Sequence, residues 1–351
     1  MRTAWTGKWP GTGQPLRIEA AAFHGKPVFF SLIGPWTVPH RMRPDQPKPG
    51  QQAGNLLLLA IVILVASSAA WLARRNYIQG RGDRRGAFRL ATVVFTMLMI
   101  LWLCQGHLVP SLDLFLPLVL AISTALLYTG LIWLLYLSLE PYVRRHWPQT
   151  LISWSRLLMG QVRDPLVGRD LLLGVVLGVF WLLIFQVRLW LTMRMGAPPG
   201  LYSTEYLSGA RLALGSWLGN IPGSIQGTLL FFFLLFLLRV LLRGEWLAGI
   251  AFVAIWTTLK TLGSGHPLID ATMWTLLYAA AVIMVFRIGF IALATAIYCA
   301  DLLLNVPLTL DFSLWYASNT LFPLLSIVAL AGWGFYNALG GQKLWNADAF
   351  Q

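Results

Sequence analysis

Charge is what this sequence has least of. Asp, Glu, Lys and Arg make up 11% of its 351 residues, and only 13 are acidic. A soluble domain carries roughly 25% charged residues, so this chain cannot coat a water-facing surface. Cysteine is also scarce. Cys104 and Cys299 both lie inside apolar runs, which excludes a disulfide scaffold and a Cys-x-x-Cys motif. There is no phosphate-binding glycine loop ending in Lys-Ser/Thr, no His-Glu-x-x-His and no Gly-x-Ser-x-Gly. Asp311-Phe312 is followed by Ser313 and His40-Arg41 by Met42, so neither kinase signature forms. The five histidines (His24, His40, His107, His146, His266) share no spacing, and no metal site or cofactor is expected.

What is abundant is apolar. AVILMFWYC make up 57% of the chain, with 17 tryptophans. A helix needs about 20 residues to cross roughly 30 Å of hydrocarbon. Runs near 55–73, 88–106, 115–139, 171–193, 224–242, 246–264, 269–287, 290–308 and 315–338 meet that need. The expected fold is an all-α polytopic integral membrane protein of about nine transmembrane helices. Residues 1–54 differ: 16–20 alternate as a strand does, His24-Gly25-Lys26-Pro27 reads as a turn, and 28–33 as a second strand. The division is therefore a hairpin-like extracytoplasmic segment and linker (1–54), a helical domain (55–345) and a tail (346–351). No signal-peptide core follows Met1-Arg2.

The net charge of +13 comes mostly from arginine at span ends. Arg74, Arg75, Arg81, Arg84, Arg85 and Arg89 follow the first span; Arg144, Arg145, Arg156, Arg163 and Arg169 follow the third. The opposite short loops hold only Arg194 and Arg211. This is a positive-inside pattern and not a nucleic-acid patch. It places the N-terminus outside and the C-terminus in the cytoplasm. Residues 150–162 carry Leu151, Trp154, Leu158 and Val162 at helical spacing. They suit a helix in the inner interface, with Arg144, Arg145, Arg156 and Arg163 on anionic headgroups, or one capping the bundle.

Ionisable residues inside spans are costly and so informative. Lys260 and Asp301 lie on spans of one direction at depths of about 21 and 16 Å, which allows an intramembrane pair. That pair is either structural or a solute or proton site. Asp270 falls at the outer end of its span. Asp301 has no second buried aspartate, which argues against an aspartyl protease. Gly215, Gly219, Gly223 and Gly227 recur every four residues around Pro222, and Gly174 and Gly178 repeat the spacing. Such glycines form a helix-packing face, or a broken helix lining a transport site.

Three stretches carry a family resemblance. They are 139–148 with 151–158 (Leu-Glu-Pro-Tyr-Val-Arg-Arg-His-Trp-Pro, then Leu-Ile-Ser-Trp-Ser-Arg-Leu-Leu), Arg163-Asp164-Pro165-Leu166-Val167-Gly168-Arg169-Asp170, and Phe335-Tyr336-Asn337-Ala338-Leu339-Gly340-Gly341. With the strands at 17–22 and 25–30, they resemble the C-terminal multi-span membrane region of certain bacterial serine/threonine protein kinases. The resemblance implies a bacterial inner membrane and an extracytoplasmic segment ahead of the spans. It transfers no kinase catalytic residue, because no kinase domain lies within these residues. The leading expectation is a non-catalytic module for anchoring, sensing or complex assembly, with anionic lipid and a separate kinase or other membrane subunits as partners. A small-solute transporter or membrane-embedded enzyme using Lys260 and Asp301, and an accessory subunit of a large membrane complex, remain open alternatives.

Overall fold

The computed structural model describes residues 2–10, 13–37, 49–106, 111–196, 205–306, 308–309, 311, 313–314 and 316–341. His40, His107, Lys343, most of the expected linker and the tail at 346–351 lie outside them.

The N-terminal segment is a sheet of three strands rather than two, in the order β1 (Arg2–Lys8), β2 (Pro15–Phe23), β3 (Lys26–Ile33), all antiparallel. The β2–β3 turn falls on His24 (φ 48°) and Gly25 (φ 75°), two successive left-handed residues that match the twist of a tight hairpin. A third strand supplies what a lone hairpin lacks. On β2, Glu19 is nearly covered; it accepts from Arg2 at 2.6 Å on β1 and from Arg17 at 3.0 Å. Trp5, Phe23, Val28, Phe29 and Phe30 nonetheless stay exposed.

Ten α-helices follow: α1 (Pro49–Ile78), α2 (Arg84–Gln105), α3 (Phe115–His146), α4 (Pro148–Leu158), α5 (Pro165–Arg194), α6 (Ala210–Leu242), α7 (Glu245–Thr261), α8 (Pro267–Arg287), α9 (Phe290–Leu304) and α10 (Ala317–Ala338). Seven of them are long and apolar enough to cross a membrane. The other three are α4, α7 and α9, of 11, 17 and 15 residues. The short connections alternate the helix directions. The α1–α2 and α3–α5 connections therefore share an arginine-rich end, and the sheet meets the opposite end, where Gln14 donates to the Gly196 carbonyl at 3.3 Å.

Several boundaries depart from the apolar runs. α1 starts at Pro49 and not at 55, because Gly50 and Gly54 let its first turn lie against Leu262 and Gly263 after α7. α3 continues through Pro141 to His146 instead of stopping at 139. Pro141 has no N–H for the Leu137 carbonyl; Asn76 of α1 donates to that oxygen instead, at 3.1 Å. α6 begins 14 residues before the expected 224 and runs unbroken past Pro222.

α5 is the axis of the bundle. Its Gly174 and Gly178 lie on α9, where an added Cβ would sit 2.6 Å from the Ala292 carbonyl oxygen and 2.7 Å from Cys299 Cβ. Gly168 of α5 meets Gly334 and Ala338 of α10 in the same way. Lipid tails are as apolar as leucine, so close backbone approach is what holds such helices together.

Candidate functional site

The arginine-rich end is built from interlocking ion pairs. Glu140, 3% exposed near the end of α3, pairs with Arg144 one turn on, and its other oxygen accepts from the Asp83 amide at 3.1 Å. Asp83 in turn caps α2 by accepting from Gly86 N at 2.8 Å. Arg156 of α4 reaches Asp164 at 2.5 Å, and Asp164 caps α5 through Leu166 N at 2.9 Å. Glu245, at the start of α7, receives Arg239 of α6 at 2.7 Å and Trp147 Nε1 at 3.1 Å. Arg239 also lies 4.5 Å from the Trp147 ring centre. Carboxylates at helix N-termini and arginines at C-termini suit both helix dipoles. Six helices, α2 to α7, thereby contribute to one collar.

Of the four arginines expected on headgroups, Arg144 and Arg156 also pair within the chain, while Arg145 and Arg163 are exposed with no ion pair among the described residues. One face of α4 packs on the bundle: Thr150, Ser153 and Trp154 are buried, with the Trp154 ring centred 4.3 Å from that of Phe290 and tilted by 48°, while Ile152 on the same helix stays exposed.

The structure does not bring Lys260 and Asp301 together. Lys260, exposed at the end of α7, places its Nζ 5.3 Å from the centre of the Trp274 ring. Asp301 lies one turn from the end of α9; its backbone carbonyl accepts from Asn305 Nδ2 at 2.7 Å, and its carboxylate has no partner among the described residues. An ion pair that does form was missed. Arg188 of α5 meets Asp270 of α8 at 2.5 Å, and Ser264 adds a second bond to the same carboxylate, which is 3% exposed. The signal was present, because Arg188 lies inside the apolar run 171–193.

The glycine ladder is not one face. Gly215 and Gly219 lie against Leu101 and Cys104 of α2, Gly223 meets no atom within 4 Å, and Gly227 faces Ile297 of α9. Four residues advance a helix by about 400°, so a four-residue repeat drifts roughly 40° per step. Three steps turn the ladder from one neighbour to another. Near Gly219, Gln105, Glu205, Ser216, Asn220 and Asn305 line a polar cavity of about 320 Å³ at the sheet end. Ser216 donates to Glu205, and Gln105 lies 3.5 Å from it. Among the described residues no three His, Cys, Asp or Glu side chains form a metal-binding group.

Comparison of the chain with protein-family models, curated proteins and solved structures found no match.

Proposed function

We propose that this chain is a non-catalytic membrane module that anchors and assembles a larger complex in a bacterial inner membrane. In this reading all helices except α4 cross, giving nine spans, with the sheet outside and the ion-paired collar in the cytoplasm. The observation that carries it is the sheet itself: Trp5 (54%), Phe23 (67%), Val28 (63%) and Phe30 (62%) are exposed on strands that stand away from the bundle. Exposed apolar side chains on a small sheet suit an interaction surface. The collar supports the same role, since it spends its charges on rigidity. Resemblance to the membrane region of bacterial serine/threonine kinases makes such a kinase the first partner to test.

A photo-crosslinking side chain at Phe30 in intact cells provides the test. The expected result is one protein adduct of defined mass, lost on Phe29→Ser with Phe23→Ser. Adducts to lipid alone would overturn the assembly role. Small-solute transport is a second reading, favoured by the polar cavity around Glu205 and Asn220.

A further inference from the structure

A groove runs down one side of α6 from the sheet end. It begins as the cavity of about 320 Å³ lined by Gln105, Glu205, Ser216, Asn220 and Asn305. That volume lies at the lower end of small-molecule sites, about 300–1,000 Å³. Its continuation follows from how α6 and α9 face each other. Ile297, Asp301 and Asn305 succeed one another at four-residue steps, so they share one face of α9 and its cap. Asn305 lines the cavity together with Gly219 of α6, and Ile297 meets Gly227 of α6. The two helices therefore run in opposite directions, and Asp301 falls at the level of Gly223. Gly223 is exposed and meets no atom within 4 Å, so the groove stays open beside Asp301. Asp301 is exposed there, inside an apolar run, and its carboxylate has no hydrogen bond or ion pair among the described residues. An ionisable side chain so placed marks a solute or ion path.

Three side-chain donors of the lining are already committed. Asn305 Nδ2 donates to the Asp301 carbonyl at 2.7 Å, Ser216 Oγ donates to Glu205, and Gln105 Nε2 turns to the same carboxylate at 3.5 Å. What these groups keep is oxygen: Asn305 Oδ1, Gln105 Oε1 and the Ser216 lone pairs. Among the described residues no lysine, arginine or histidine lines the cavity. Arg211, at the start of α6, gives its guanidinium to the Gly106 carbonyl at 3.2 Å. Carboxylates and acceptor oxygens without a base select a cation that donates hydrogen bonds. A multivalent metal is poorly matched, since no three His, Cys, Asp or Glu side chains converge among the described residues. A bare alkali ion would leave most of the cavity to water, whose share of liquid volume is about 30 Å³. We propose that the groove binds a small organic ammonium ion, its N–H groups donating to Glu205 and Asn305 Oδ1. The Asp301 carboxylate, one turn further in, adds its charge to the attraction. The proposal names a solute class for the cavity on which the transport reading rests, and it concerns binding.

The full chain in lipid nanodiscs is titrated with cyclohexylammonium chloride and, in parallel, with cyclohexanol, which has the same ring and no charge. Empty nanodiscs are the blank. The expected result is saturable binding of one cyclohexylammonium per chain, with cyclohexanol about tenfold weaker or worse. Glu205→Gln should weaken the ammonium about tenfold, and Asp301→Asn about fivefold. Gly223→Leu, which the open space accommodates, should fill the groove beside Asp301 and weaken binding about tenfold without moving the melting temperature. Equimolar sodium chloride should leave binding unchanged. Uptake of the probe into proteoliposomes is measured alongside: saturable binding without uptake would end the transport reading and sustain this site. Equal binding of the two probes would overturn the proposal. So would the absence of saturable binding, displacement by equimolar sodium, or binding that Glu205→Gln and Gly223→Leu leave untouched.

Discussion

At the scale of the residue, placement of charge decides what each group does. Asp270 is held by Arg188 and Ser264 in a site where either partner alone would be stranded. Breaking a buried pair costs about 3 kcal/mol or more, whereas replacing both members is often close to neutral. Asp270→Asn should therefore lower the detergent melting temperature more than Asp270→Asn combined with Arg188→Met. Strictly additive changes would mean that the two do not interact. On the sheet, the Arg2 guanidinium, and then that of Arg17, hold the Glu19 carboxyl below its ordinary value of 4.5. A depressed folded pKa stabilises the sheet fully above the unfolded value, and that contribution is lost as pH falls through the folded one. Proteolysis at the sheet should accelerate below about pH 4, and Glu19→Gln should remove that acid step. Sequence exposed Asp270 but not its partner. An ion pair is a relation between two spans, and linear depth cannot say which spans touch. Lys260 and Asp301 matched in depth, yet α7 and α9 turn those positions to different surroundings.

At the scale of the element, helices were readable wherever apolar runs exceeded the bilayer's thickness, and their ends were not. Proline does not mark helix ends here: Pro141 and Pro222 both sit inside continuous helices. At Pro141 the reason is visible in Asn76, a side chain 65 positions away that no local rule could supply. The short strand β1 was missed because Arg2, Gly7 and Lys8 break its apolar alternation. The two glycine patterns looked alike in sequence, but Gly174 and Gly178 keep one neighbour, whereas the four-glycine ladder passes from α2 to α9. Gly178→Leu should force α5 and α9 apart, at an overpacking cost of about 1–3 kcal/mol. Gly223→Leu, where nothing lies within 4 Å, should leave the melting temperature within error. Equal effects would remove α5–α9 as the organising contact.

At the scale of the whole molecule, the alternation of helix directions gives the two ends opposite character, and the proposed orientation follows from the arginines at one of them. In a chain with Cys104→Ser and Cys299→Ala, cysteines at Gln79 and Gln149 should resist an impermeant thiol reagent applied to intact cells, and one at Lys8 should react. Labelling in the reverse sense would invert the molecule. One short element would also bear on how voltage falls across the molecule in the proposed orientation. α9 follows Gly289, which packs on Thr150 of α4, and its 15 residues rise only about 22 Å. It ends well short of the roughly 30 Å that hydrocarbon spans, and Asn305, its next residue, lines the polar cavity. In the proposed orientation, such a recess filled with water and salt would concentrate the transmembrane voltage across the septum that remains. An ion seated beside Asn305 would then cross part of the field simply by arriving, and a full crossing is worth about 2.3 kcal/mol per 100 mV.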